Sequence, residues 1–222
     1  MTIRNVAHSG ALRAALVVCV MTAPSLAQAQ TAITPEQVQQ AIVVMDDPLE
    51  QETAFSTERA VRSTRGVFRT LHNDGYLRAA VHKGTGQVRF EVRQTFNYIG
   101  TFRHYERVNY ETDALPRSAR LLVLAANKAH CQAIEFSQAC LEQVSFEVSE
   151  ADLRRAAEST GGHDPQAWEL KFKPQLGEEH RTQLPKAEIV GLLRTVDAYR
   201  ASQNFSTASA SKGMQTTNPL QP

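Results

Sequence analysis

A strict alternation of apolar and polar side chains over residues 87–98 constrains the fold more than any other feature of this chain. The apolar members lie on one side of the segment: Val88, Phe90, Val92, Phe96 and Tyr98. The residues between them are mostly polar: Arg89, Glu91, Arg93, Thr95 and Asn97. Because successive side chains of a strand point to opposite faces of a sheet, the pattern predicts a strand with one buried and one solvated side.

A second predicted strand, residues 76–83, precedes this one, and Lys83-Gly84-Thr85-Gly86 between them has the length and glycines of a hairpin turn. A phosphate-binding loop is the alternative interpretation of these glycines. The G-x-x-x-x-G-K-[ST] pattern and the following helix that such a loop requires are both missing. The sequence therefore favours a turn.

The remaining periodicities predict strands and helices in an irregular order. Strands are expected over residues 53–60, 120–126, 141–148 and 168–173. Helices are expected over residues 34–45, with a capping box, over residues 150–158, and from Pro185 onward. This combination predicts an α+β fold, in which an antiparallel β-meander of about five to seven strands packs with N-terminal and C-terminal helices.

The chain is expected to consist of three segments. Residues 1–29 have the pattern of a secretory signal peptide, with Arg4 and Arg13, a short apolar run and an Ala27-Gln28-Ala29 cleavage site. Residues 30–201 form a single domain. Residues 202–222 lack the large apolar side chains that could repay the entropy of ordering, and a disordered tail is expected there. No transmembrane segment is predicted in the mature chain, and the protein is expected to be periplasmic or secreted.

Export affects the expected redox state of the two cysteines of the mature chain, Cys131 and Cys140. An oxidising compartment allows two thiols to form a bridge, so we expect a disulfide between them. His130, next to Cys131, suggests a metal site as the alternative, but one C-x8-C pair with one histidine lacks the close paired spacing of zinc ligands. No metal and no cofactor are predicted.

The first candidate site depends on a second predicted hairpin, in which residues 102–112 pair with residues 87–98 through Ile99-Gly100-Thr101. This register would place Gln94, His104 and Glu106 on the apolar side, among aromatic rings. Ionisable groups in such surroundings have perturbed pKa values and are candidates for acid–base or ligand-binding roles. A hydrogen-bonded network inside the sheet, or a solvated strand end, is the structural alternative.

The opposite side of the same predicted hairpin gives a second candidate. It would carry Arg89, Arg93, Arg103 and Arg107, and would place Arg93 directly opposite Arg107. Because like charges in facing positions destabilise a sheet, this side is a candidate binding site for an anion or an acidic partner. An ordinary solvated face of mixed charge is the expected interpretation of one side of an antiparallel sheet.

Charge and motif content narrow the classes of function. The chain has 24 basic and 23 acidic residues, which disfavours a general nucleic-acid binder. The catalytic patterns G-x-S-x-G, H-E-x-x-H, C-x-x-C and G-x-G-x-x-G are absent from the sequence. We therefore expect a non-catalytic binding module whose partner is an envelope protein or a small anionic ligand. The alternative is a small periplasmic hydrolase or isomerase that uses His104 and Glu106 as an acid–base pair.

Several spaced motifs resemble a known but uncharacterised family of small exported proteins of Gram-negative bacteria. They are the Lys83-Gly84-Thr85-Gly86 turn, the pattern Gln94-x-x-x-Tyr98-x-Gly100-x-Phe102-Arg103-x-Tyr105, the cysteine pair, a tryptophan-containing strand and a Val196-Asp197-Ala198-Tyr199-Arg200 helix end. The resemblance covers about residues 75–200, and it implies a location in the envelope and no activity. This chain departs from the family pattern at Phe102, where tryptophan is usual, and at His82, where aspartate is common.

Overall fold

The computed structural model describes residues 33–63, 74–112, 115–124, 129–160 and 164–203. The predicted signal peptide, and all but the first two residues of the predicted tail, lie outside the described residues. The described chain has the predicted α+β fold, with antiparallel strand pairs in two sheets and four helices. The second sheet was not predicted.

The element bounds are as follows. The helices are α1 (Pro35–Ala41), α2 (Glu58–Ser63), α3 (Glu150–Glu158) and α4 (Lys186–Ser202). The strands are β1 (Val43–Met45), β2 (Glu52–Ser56), β3 (Asp74–His82), β4 (Val88–Ile99), β5 (Tyr105–Tyr110), β6 (Arg117–Arg120), β7 (Leu122–Val123), β8 (Ala129–Ile134), β9 (Ser137–Val148), β10 (Ala167–Pro174) and β11 (His180–Pro185).

The large sheet has seven strands in the order β1-β2-β3-β4-β9-β7, and β8 also pairs with β9. The predicted β3–β4 hairpin is confirmed, with residues 83–87 between its strands. Alternation along β4 is also confirmed, because Phe90, Val92 and Phe96 are buried. The strand forms because its apolar side faces the core while its charged side remains accessible.

The small sheet has the order β11-β10-β5-β6, and it overturns the second predicted hairpin. Residues 102–112 do not pair with residues 87–98. Instead β9 pairs with β4 along most of its length, from Phe90 opposite Val148 to Ile99 opposite Ala139. Gly100, whose φ of +126° suits glycine, lies where the chain leaves the large sheet, and β5 then enters the small sheet between β10 and β6.

The two sheets pack their apolar sides together. Phe96 of the large sheet stacks on Tyr105 of the small sheet at 3.9 Å between ring centroids, and meets Phe172 edge-to-face at 5.2 Å. The alternation predicted for residues 168–173 is confirmed, since Trp168, Leu170 and Phe172 are buried and Glu169 and Lys171 are more exposed. This packing leaves the other side of the small sheet facing solvent.

The ends of the helices agree with the capping signals but not with every predicted length. Thr34 and Gln37 form the predicted capping box at the start of α1. The helix ends at Ala41 rather than near residue 45, because Val43–Met45 pairs with β2 as a short strand. The strand expected over residues 53–60 is shorter, ends at Ser56 and is followed by α2. Helices α3 and α4 begin after Ser149 and Pro185, as predicted.

Cys131 and Cys140 face each other across β8 and β9, with their sulfur atoms at disulfide-bonding distance and their Cα atoms 4.0 Å apart. The pairing of these two cysteines is confirmed. The bridge closes the β8–β9 hairpin, whose turn contains the exposed side chain of Phe136. The bridge therefore links two neighbouring strands covalently at an edge of the large sheet.

Replacing both cysteines with serine should lower the free energy of unfolding by about 2.5–3 kcal/mol, because the unfolded chain then gains the freedom of an open loop. Chemical denaturation of the variant and of the oxidised parent measures the difference. Titration of the denatured parent should detect no free thiol. Two thiols per chain in protein purified from the periplasm would contradict the bridge.

Candidate functional site

A cleft of about 530 Å³ opens where the start of β5 meets β9 of the large sheet. It is lined by residues of both sheets and of the segments that join them: Phe102, His104, Tyr105, Glu106, Arg107, Arg120, Leu121, Val123, Glu142 and Gln175. Two predicted acid–base candidates and one predicted arginine therefore line one cavity. The sequence did not predict Glu142, Arg120 or Gln175 as their neighbours.

Glu142 is the buried carboxylate of this cleft. It accepts hydrogen bonds from the Tyr98 hydroxyl, from the Arg103 backbone N–H at 3.2 Å and from the Tyr105 backbone N–H at 3.1 Å. Burial raises the pKa of Tyr98 above its ordinary range, and the carboxylate of Glu142 raises it further. Through these hydrogen bonds, Glu142 connects the segment before β5 to the large sheet.

His104 and Glu106 lie at the exposed rim of the cleft. His104 has a φ of +54°, in the left-handed region, and its carbonyl accepts a hydrogen bond from the Gln175 backbone N–H at 2.9 Å. Glu106 falls at an irregularity in the β5–β10 register, and its carboxylate accepts a hydrogen bond from the Gln175 side-chain amide. No hydrogen bond joins His104 to Glu106 in the part of the chain that the structure describes.

Gln94 does not lie with them. It is buried in the large sheet between Gly75 and Val144 and donates a hydrogen bond to the Thr95 carbonyl at 3.0 Å. Its side-chain oxygen has no hydrogen-bond partner within the described residues. The predicted inward cluster of three polar residues is therefore wrong, because the hairpin that would have assembled it does not form.

The four predicted arginines do not share one face either. Arg89 lies 3.2 Å from Glu52, and Arg93 lies 2.8 Å from Glu91, on the outward side of the large sheet. Arg103 lies over the Tyr98 ring at 4.5 Å. Only Arg107 belongs to a strand of the small sheet, and the residue opposite Arg93 on β9 is Ser145.

Arg107 nevertheless faces cations on both sides. It lies directly opposite Lys173 of β10 and directly opposite Arg120 of β6. We call these three residues the cationic row. The Arg107 guanidinium hydrogen-bonds to the Ser118 hydroxyl at 3.2 Å, and no ion pair within the described residues involves any member of the row.

Facing positions of an antiparallel pair lie about 4.5–5.5 Å apart between Cα atoms, and like charges there destabilise the sheet. Two such pairs share Arg107. The row also reaches the cleft, since Arg107 and Arg120 line it. The arrangement provides two planar guanidinium groups and one ammonium group, which are the donors that bind carboxylate and phosphate groups.

No known family model, curated protein or solved structure matches this chain. The resemblance of residues 75–200 to an uncharacterised exported family stays a prediction. Among the described residues, every helix is too short or too polar to cross a bilayer. The same residues contain no group of three histidine, cysteine or acidic side chains arranged to hold a metal ion.

Proposed function

We propose that this protein is an exported cell-envelope protein that binds an anionic ligand at the cationic row of Lys173, Arg107 and Arg120. The proposal rests on one observation: a cation lies directly opposite Arg107 on each neighbouring strand, Lys173 on β10 and Arg120 on β6. An anion placed between these side chains would relieve their repulsion and accept several charge-assisted hydrogen bonds. The cysteine pair and the pattern of residues 1–29 are compatible with export.

Binding fits the cleft better than acid–base catalysis does. A general acid or base must reach the substrate proton that it transfers, within hydrogen-bond distance. Here the carboxylate of Glu106 is held by Gln175, and the ring of His104 lies against Phe102 at 4.4 Å between centroids. These contacts engage both side chains within the protein, whereas the two arginines of the same cleft form no ion pair within the described residues and can bind a ligand.

The double variant Arg107→Ala/Arg120→Ala should bind tripolyphosphate about 100-fold more weakly than the parent protein. Each arginine supplies a charge-assisted contact worth about 1.4 kcal/mol, which is about a tenfold change in affinity. Isothermal titration calorimetry at low salt measures the change. The salt dependence of the affinity should also become shallower, by about one unit of log K against log salt for each arginine removed.

The matched control is Arg89→Ala/Arg194→Ala, which removes the same formal charge from arginines that are already paired with Glu52 and Glu36. It should keep nearly the parent affinity. If both double variants bound tripolyphosphate equally weakly, its affinity would depend on the net charge of the protein and not on the cationic row. If the parent protein did not bind tripolyphosphate, the proposal would also be refuted.

A further inference from the structure

The cationic row is part of a larger surface on the solvent-facing side of the small sheet. Two residues along β10 from Lys173, on the same side of the strand, lies Lys171, and Arg181 of β11 lies directly opposite Lys171. We call the row together with these two residues the cationic face. Arg107, Arg120 and Arg181 are exposed, and the two lysines are half-buried.

The geometry of a sheet fixes the spacing of these charges. Neighbouring strands lie about 4.8 Å apart, and residues two apart on one strand lie about 6.8 Å apart. The three residues of the row therefore span about 10 Å across the strands. A single small anion reaches two adjacent members of such an array, whereas an extended chain of anionic groups reaches all of them.

The acidic residues near this face lie on the side of Lys171 and Arg181, and the cationic row has no ion pair within the described residues. Glu179 forms an ion pair with Lys171, the one ion pair that any of the five cations makes within the described residues. The hydrogen bond from Lys171, together with the charges of Lys173 and Arg181, holds the pKa of Glu179 below its usual range. Glu169 and Glu111 line a pocket of about 620 Å³ together with Lys171 and Arg181, and neither acid forms an ion pair within the described residues.

The face also lacks the rings that a nucleic-acid surface uses to stack bases. The aromatic side chains of β5 and β10 are Tyr105, Tyr110, Trp168 and Phe172, and all four are buried on the opposite side. Base stacking on exposed rings supplies much of the binding energy of single-stranded nucleic acid. The described part of the face therefore offers charge without a stacking platform.

We propose that the anionic ligand is an extended linear polyanion without bases, a chain of repeated phosphate or carboxylate groups that lies across β11, β10, β5 and β6. This inference rests on the proposed function, because the chain would include the site at Arg107 and Arg120. It adds Lys171 and Arg181 as contacts that a short anion at the row does not reach.

The test is a length series, measured by calorimetry on the whole mature protein. The probes are orthophosphate, tripolyphosphate and polyphosphate of about ten and about thirty units. We expect affinity per chain to rise about tenfold from tripolyphosphate to the ten-unit chain, with a steeper salt dependence. Galacturonate and polygalacturonate form the carboxylate arm, and a preference for either polymer over its monomer supports the proposal and identifies the anionic group.

One variant separates this inference from the proposed function. Arg181→Ala should weaken binding of the ten-unit chain about fivefold to tenfold and change binding of tripolyphosphate less than twofold. Arg194→Ala, whose arginine is paired with Glu36 on another surface, should change neither. Thermal unfolding checks that both variants fold, which is expected because both side chains are exposed.

Three results would overturn the inference. If tripolyphosphate binds as tightly as the long chains but still depends on Arg107 and Arg120, the site is compact, and only the proposed function stands. If no probe depends on these arginines, both proposals fail. If oligothymidylate binds more tightly than polyphosphate of equal charge, the ligand class is nucleic acid and the polyanion without bases is wrong.

Discussion

Glu142→Ala should lower the free energy of unfolding by about 3–5 kcal/mol. The carboxylate is buried and accepts from three donors, the Tyr98 hydroxyl and the backbone N–H groups of Arg103 and Tyr105. Alanine removes the acceptor and leaves these donors without it in a poorly solvated place. Unsatisfied buried donors are more costly than a missing contact at the surface, because they have also lost their hydrogen bonds to water.

Urea denaturation measures this loss, and Glu147→Ala is the control on the same strand. Glu147 is exposed, and its nearest cation is Arg89 at 3.8 Å, so its removal should change stability by less than about 0.5 kcal/mol. If the two variants were equally stable, the buried carboxylate would not be what holds the segment before β5. Glu142→Gln should fall between them, because an amide keeps one acceptor but brings two donors of its own.

The sequence predicted individual strands better than their partners. The alternation in residues 87–98 and 168–173 identifies strands because each has one side buried, and burial leaves a period-two pattern in the chain. Pairing leaves no comparable local mark. β4 and β9 are long strands separated by more than 35 residues, and only the complete fold shows that β9, rather than the adjacent residues 102–112, lies beside β4.

The wrong hairpin explains the mixed outcome for the candidate site. Its register brought Gln94, His104 and Glu106 together, and the structure keeps the last two in one cleft while placing Gln94 in the core. It also predicted that Arg107 faces another arginine. That feature is present, although the partner is Arg120 rather than Arg93. The alternation along the strand identified Arg107 as an outward-facing residue. Which residues lie beside it depends on the order of the strands in the sheet.

A buried acid in the candidate site could have been detected from the sequence. Glu142 occupies an inward position of β9, between Cys140 and Val144. A carboxylate in the apolar register of a strand needs several donors nearby, and this requirement marks it as the anchor of another segment. Which segment it anchors could not be inferred, because the donors include backbone N–H groups at residues 103 and 105, which carry no sequence signal.

Trp168→Ala should lower the free energy of unfolding by about 3–5 kcal/mol, the usual range for deleting a large ring from a core. Trp168 is fully buried, meets Tyr110 edge-to-face at 5.5 Å between centroids and donates its indole N–H to the Glu111 carbonyl at 2.9 Å. The variant therefore leaves a cavity between the sheets and an unpaired carbonyl beside it. Urea denaturation followed by far-UV circular dichroism measures the loss.

Two further variants assign that loss to its causes. Trp168→Phe keeps most of the ring and removes the bond to Glu111, so its loss should be smaller, about 1–2 kcal/mol. Phe136→Ala removes an aromatic ring that is 98% exposed, and it should change stability by less than about 0.5 kcal/mol. If Trp168→Ala were as mild as Phe136→Ala, the two sheets would not share a packed core at β10, and the strand that carries Lys171 and Lys173 would lack the rigid support that the cationic face requires.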